Sequence, residues 1–130
     1  MFENTKAFSG FSVDDVPAAR AFYGETLGVK VSPEDETGML MLHIAGDHDV
    51  LVYPKEGHAP AEFTILNFPV EDVEATVDQL TERGVSFERY EGTETETDDK
   101  GVFRGGGPLI AWFKDPAGNV LSVIADDAGE

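Results

Sequence analysis

Few side chains in this chain are equipped for chemistry, and they are scattered. Histidines stand at His43, His48 and His58. His43 follows Met39-Leu40-Met41-Leu42 and precedes Ile44, so it is the best candidate for a general base in an otherwise apolar strand. A histidine merely tolerated at a sheet edge is the more ordinary reading of the same residue. His43 and His48 could approach each other across a hairpin, with Asp47 and Asp49 near. Nothing supplies a convincing third metal ligand, and surface histidines are the simpler account. Arg104 stands between Phe103 and Gly105-Gly106-Gly107. Glycine lets the backbone turn sharply, so Arg104 could grip a carboxylate through both guanidinium nitrogens. The competing reading pairs it with the chain's own surplus of acids. Asn67 sits in an apolar strand, where a buried amide needs partners. Trp112 could stack on a ligand or fill the core.

Composition narrows what such residues could serve. The chain has 130 residues, 41% of them apolar, and no cysteine. That is one ordinary domain, able to bury roughly two thirds of its unfolded surface. Disulfides and thiolate metal sites are excluded. No apolar run approaches the ~18 residues of a membrane span, and the opening residues do not read as a signal peptide. The expected location is the cytoplasm. Acidic residues number 26 and basic residues 9, a net charge of −17. Such a surface repels phosphate backbones and anionic lipid, so neither nucleic acid nor a membrane is an expected partner. The acids are scattered, as in a solvated surface suited to high salt. The alternative is attraction of a cationic ligand.

The elements that must position these residues come twice. Residues 5–12 read as a strand, then Asp14 or Asp15 caps a helix with Pro17 in its first turn. Val16, Ala19, Phe22, Tyr23 and Leu27 keep the spacing of a buried helix face, and Gly28 ends it. A short strand at 29–32 precedes Pro33 and an acidic turn. A hairpin follows, Met39–Ala45 and Val50–Tyr53. Residues 55–61 read as a linker. The second copy runs through a strand at Phe63–Val70, a helix at 72–83 striped by Val73, Val77 and Leu80, and a strand at Val85–Arg89. The polar segment 91–101 should be an exposed loop, or alternatively a lid. A last hairpin joins Leu109–Lys114 to Val120–Ile124 through Asp115-Pro116-Ala117-Gly118-Asn119, where Gly118 suits positive φ. Val13-Asp14-Asp15-Val16 is echoed by Val70-Glu71-Asp72-Val73, and Leu27-Gly28-Val29 by Arg83-Gly84-Val85. The fold class is therefore α+β, one domain over 1–130, built from two βαβββ modules at about 5–54 and 62–125.

These motifs resemble the vicinal oxygen chelate superfamily of glyoxalases, bleomycin resistance proteins and extradiol dioxygenases. The carriers are Phe11-Ser12-Val13-Asp14-Asp15-Val16 with Ala19, Phe22-Tyr23 and Leu27-Gly28, and the closing Trp112-Phe113-Lys114-Asp115-Pro116-Ala117-Gly118-Asn119. The resemblance implies two modules forming a curved, incompletely closed mixed sheet around a cleft, with helices outside. It also implies metal ligands on the first and last strand of each module. Matching those motifs gives Phe8, Val52, Ile65 and Ser122. Three of these cannot bind a metal and a serine is a poor ligand, so no metal and no cofactor are expected.

Strand alternation then places Phe8, Ser12, Val52, Phe63, Ile65, Asn67 and Ser122 on the cleft side, with Trp112 as a further lining candidate. A mostly apolar surface with a few polar anchors suits a small organic ligand. The resemblance thus implies a binding protein of the bleomycin resistance type, commonly a homodimer, taking a hydrophobic or cationic compound. The alternative is an atypical, metal-independent lyase, isomerase or dioxygenase-like enzyme using His43, Asn67 and Arg104.

Overall fold

A computed structural model of the chain describes residues 1–32, 38–46 and 48–126. Pro33 with its acidic turn, and Asp47 of the first hairpin, lie outside the described residues. The chain falls into two compact units that divide between Ala59 and Pro60.

In the first unit the elements are β1 (Ser9–Val13), α1 (Val16–Ala21), β2 (Lys30–Val31), β3 (Leu40–Ile44) and β4 (His48–Pro54). Asp15 caps α1 by accepting the Ala18 N–H at 3.1 Å, and Pro17 occupies the first turn, where its missing N–H costs nothing. The helix then widens into a π-helical turn over Phe22–Thr26, with the Leu27 N–H reaching the Phe22 carbonyl at 2.9 Å. Gly28, at φ 73°, ends it. The sheet order is β1-β4-β3-β2, with β1 parallel to β4. The register puts Phe11, Leu40, Leu42, Val50 and Val52 on the helix side, where they bury with Val13, Val16, Ala19 and Tyr23. The rings of Phe11 and Tyr23 lie 5.7 Å apart. The opposite face carries Gly10, Ser12, Met41, His43, Asp49, Leu51 and Tyr53.

The second unit holds β5 (Thr64–Val70), α2 (Val73–Glu82), β6 (Val102–Phe103), β7 (Ile110–Lys114) and β8 (Val120–Ala125), in sheet order β5-β8-β7-β6. Asp72 caps α2 through the Ala75 N–H at 3.0 Å. Val73, Val77 and Leu80 form its buried stripe, as their spacing predicts. Together the two mixed sheets and two helices make the expected α+β fold of two modules.

One expected strand is different. Val85–Arg89 makes only a single bridge, Phe87 opposite Phe113, followed by the Glu88 N–H on the Trp112 carbonyl at 2.8 Å. Tyr90 then turns the chain away from the edge at φ 49°. The rest of that edge is supplied by Val102 and Phe103, paired with Ala111 and Ile110. The loop between them is mostly exposed, but Asp98 is half-buried and brings the chain back by accepting the Val102 and Lys100 N–H groups, each at 2.9 Å.

The turn Asp115–Asn119 closes the β7–β8 hairpin. Asp115 and Asn119 are both buried. Asp115 Oδ1 accepts the Ala117 and Asn119 N–H groups at 2.9 Å, and its Oδ2 accepts Asn119 Nδ2 at 3.0 Å. Gly118 takes φ 87°, as this turn requires. Asp115→Ala should therefore leave three donors without this acceptor and cost about 3 kcal/mol of stability, read as a lower urea midpoint with unchanged slope.

Candidate functional site

Each unit covers one face of its sheet with a helix and leaves the other face to carry polar groups. On that face of the first unit, three strands bring three side chains into a chain of hydrogen bonds. Ser32 follows β2, and its N–H reaches the Met41 carbonyl at 2.9 Å. Its Oγ meets His43 Nε2, while His43 Nδ1 meets Asp49 Oδ1 at 3.0 Å. His43 and Asp49 are directly opposite across the hairpin. All three line a hollow of about 470 Å³ whose remaining walls include Met39, Met41 and Leu51. A second pair stands near the end of this unit, Ser12 Oγ and His58 Nδ1 at 2.7 Å.

In the second unit the corresponding face carries Asn67, Ser122 and Trp112. Ser122 is buried and its Oγ donates to Asn67 Oδ1 at 2.6 Å. Asn67 and Ser122 are neighbours across β5–β8, and Trp112 is opposite Ser122 across β7–β8. The Trp112 ring contacts Tyr90 at 5.3 Å and Phe103 at 5.8 Å, forming an aromatic floor. Among the described residues Tyr90 alone combines a side chain with positive φ. Burial raises the Tyr90 hydroxyl pKa, the neighbouring Glu88 raises it further, and Lys114 opposes both.

The pairing corrects one residue of the ligand mapping. Gly10 pairs with Leu51 as Asn67 pairs with Ser122, and Met41 is opposite Leu51 as Trp112 is opposite Ser122. The counterpart of Ser122 is thus Leu51. Val52, expected to line a pocket, is fully buried on the helix side beside Phe11 and Leu40. Phe8 and Phe63 are exposed at 63% and 71% and precede their strands. Ile65 sits where the β5–β8 register slips between Thr64 and Leu66.

His48 is opposite Ile44, one step along from His43 and Asp49, so alternation points the two histidines to opposite faces. Among the described residues no three His, Asp or Glu side chains cluster as metal ligands would. Arg104 binds Asp98 at 2.8 Å through Nε and Glu74 at 3.0 Å, so its guanidinium is engaged by the chain's own acids rather than presented as a clamp. Lys100 joins the same network through Asp78 at 3.1 Å.

Two units of this order, each with its first and last strands parallel and a crossover helix on one sheet face, define an α+β fold of repeated βαβββ modules. The chain belongs to the Glyoxalase/Bleomycin resistance protein/Dioxygenase superfamily, whose family model matches residues 8–123. No curated protein matches the sequence. Among solved structures, a glyoxalase/bleomycin resistance protein from Streptomyces sp. CB03234 is 26% identical, with 91% of this chain and 99% of that one covered and a TM-score of 0.59. TnmS3 from the same source, described as an antibiotic binding protein, is 24% identical, with coverage of 95% and 98% and a TM-score of 0.67. A glyoxalase family protein from Enterococcus faecalis is 23% identical, with coverage of 95% and 99% and a TM-score of 0.65. No described helix is long and apolar enough to cross a membrane.

The Asp98 network carries a pH dependence. Burial works against the Asp98 charge, but the bonds from Arg104 and from the Val102 and Lys100 N–H groups outweigh it and hold the pKa below its ordinary 3.8. A lowered folded pKa adds stability above the unfolded value, and that stability is lost as pH falls through the folded value. Asp98→Asn should lower the melting temperature at neutral pH. The gap to wild type should narrow progressively below about pH 4, measured by thermal melts across that range.

Proposed function

We propose that the protein binds a small organic molecule, hydrophobic or cationic, without a metal of its own. The observation that carries this reading is the Asn67–Ser122 pair on the strands beside Trp112, whose ring contacts Tyr90 and Phe103. A mostly apolar surface with one amide–hydroxyl anchor orients a ligand without supplying a reactive centre. The donor set argues in the same direction. Phe8, Leu51 and Ile65 have hydrocarbon side chains, and the Ser122 hydroxyl is bonded to Asn67. Those groups do not suit a divalent ion, and a metal-dependent lyase needs its ion to polarise the substrate. The likeness to an antibiotic binding protein supports the same reading, as does the net charge of −17 for a cationic compound. A cytoplasmic homodimer is part of the proposal.

Native mass spectrometry of protein purified without chelator tests it directly. A metal-free protein retaining a small organic molecule is the expected result. A stoichiometric divalent metal would overturn the reading. For the retained molecule, Asn67→Ala should weaken binding by about tenfold, the loss of one hydrogen bond, followed by the fluorescence of Trp112. Sedimentation at micromolar concentration checks the dimer, and a monomer would count against that part.

A further inference from the structure

The geometry points to a second, chemically distinct site: Ser32, His43 and Asp49 form a nucleophile relay that accepts acyl groups from small activated esters. It lies on the first unit and stands independently of the binding site proposed on the second.

The order of atoms carries the inference. Asp49 Oδ1 lies 3.0 Å from His43 Nδ1, so the ring carries its proton there and donates it to the carboxylate. That tautomer leaves Nε2 as an acceptor, and Nε2 is the nitrogen that meets Ser32 Oγ. Hydroxyl, imidazole and carboxylate thus follow one another with the roles of nucleophile, base and orienting group. The three come from the end of β2, from β3 and from β4, so sheet pairing rather than a single loop sets their spacing. A strut for stability would be poorly placed here, because the His43 and Asp49 side chains are 37% and 49% exposed and exposed pairs contribute little. The surroundings suit a ligand instead. Met39, Met41 and Leu51 wall the hollow beside the three groups, and unbranched methionines adapt to varied apolar shapes. Glycosidic, phosphate or strongly anionic substrates do not fit such walls beside Asp49. A short neutral acyl group does.

The step balances within the site. Ser32 Oγ attacks the ester carbonyl carbon, and the Oγ–C bond forms as the hydroxyl proton passes to His43 Nε2. The carbonyl electron pair moves onto oxygen, then returns as the bond to the leaving alkoxide or phenolate breaks. His43 gives its proton to that leaving group. Water repeats the sequence on the acyl-serine, with His43 as base, and releases the carboxylic acid and Ser32. Asp49 is the positioning residue throughout.

The test uses p-nitrophenyl acetate with the full-length protein. Release of p-nitrophenolate should fall by about a hundredfold in Ser32→Ala and in His43→Gln, the scale of a lost positioned base or its nucleophile. Quenched samples should carry one acetyl group, mapped to Ser32 by peptide mass spectrometry. Asp49→Glu should keep part of the rate that Asp49→Asn loses, which a packing role would not require. Melting temperatures matched to wild type show that each variant folds. Release unchanged in Ser32→Ala, or acetyl found on lysine and not on Ser32, overturns the proposal. Neither result bears on the Asn67–Ser122 site.

Discussion

The parallel pairing of the first and last strand in each unit governs the rest of the structure. β1 lies beside β4, and β5 beside β8, so the chain must cross over between them. A parallel return of this kind needs a helix on one face of the sheet. That helix claims the apolar side: Phe11, Val13 and Val52 in one unit, Phe113, Leu121 and Val123 in the other. The other side is released from packing duty. Polar groups stand there with partners in reach, as buried Ser122 does with Asn67. The division of labour between faces is thus a consequence of strand order, repeated because the module is repeated.

The two open faces use this freedom differently. In the second unit an amide and a hydroxyl satisfy each other beside aromatic rings, and the unit holds no histidine. In the first unit a base is held at both nitrogens, between a hydroxyl and a carboxylate. The positions that align between units explain the contrast. Ser122 matches Leu51, Asn67 matches Gly10 and Trp112 matches Met41, so the amide–hydroxyl anchor has no polar side chain at its counterparts. His43 and Asp49 lie two hairpin pairs beyond Met41 and Leu51 toward the turn, on the same face and again opposite each other. One scaffold therefore carries two unlike surfaces.

Much of the fold was readable from residues alone because its signals are local. The caps Asp15 and Asp72, the stop at Gly28 and the Asp115–Asn119 turn each act within a few residues. The stripe of α2 needed only its period. Pairing register is not local, and it was there that reading failed. A one-residue slip moves a side chain to the other face, and that single step separates buried Val52 from Leu51 on the open face. The expected strand at Val85–Arg89 was lost for a similar reason. Its residues have strand propensity, but Tyr90 leaves the edge and a distant segment, Val102-Phe103, fills the place.

The candidate site shows the same limit more sharply. His43 stood out because a histidine in an apolar strand is visible in sequence. Ser32 does not, and Asp49 reads only as an acid near His43 and His48, since nothing in their spacing announces that β2, β3 and β4 will align all three. Asn67 and Ser122 were both placed on the open face by alternation, yet the bond between them depends on the β5–β8 register. Arg104 drew notice for its glycines, while its actual partners, Asp98 and Glu74, belong to a loop and a helix with no sequence motif in common. Residue type identifies which groups could act. Strand pairing decides which of them meet, and in this chain a histidine at one register position gains two partners while the neighbouring histidine across the turn faces away from both.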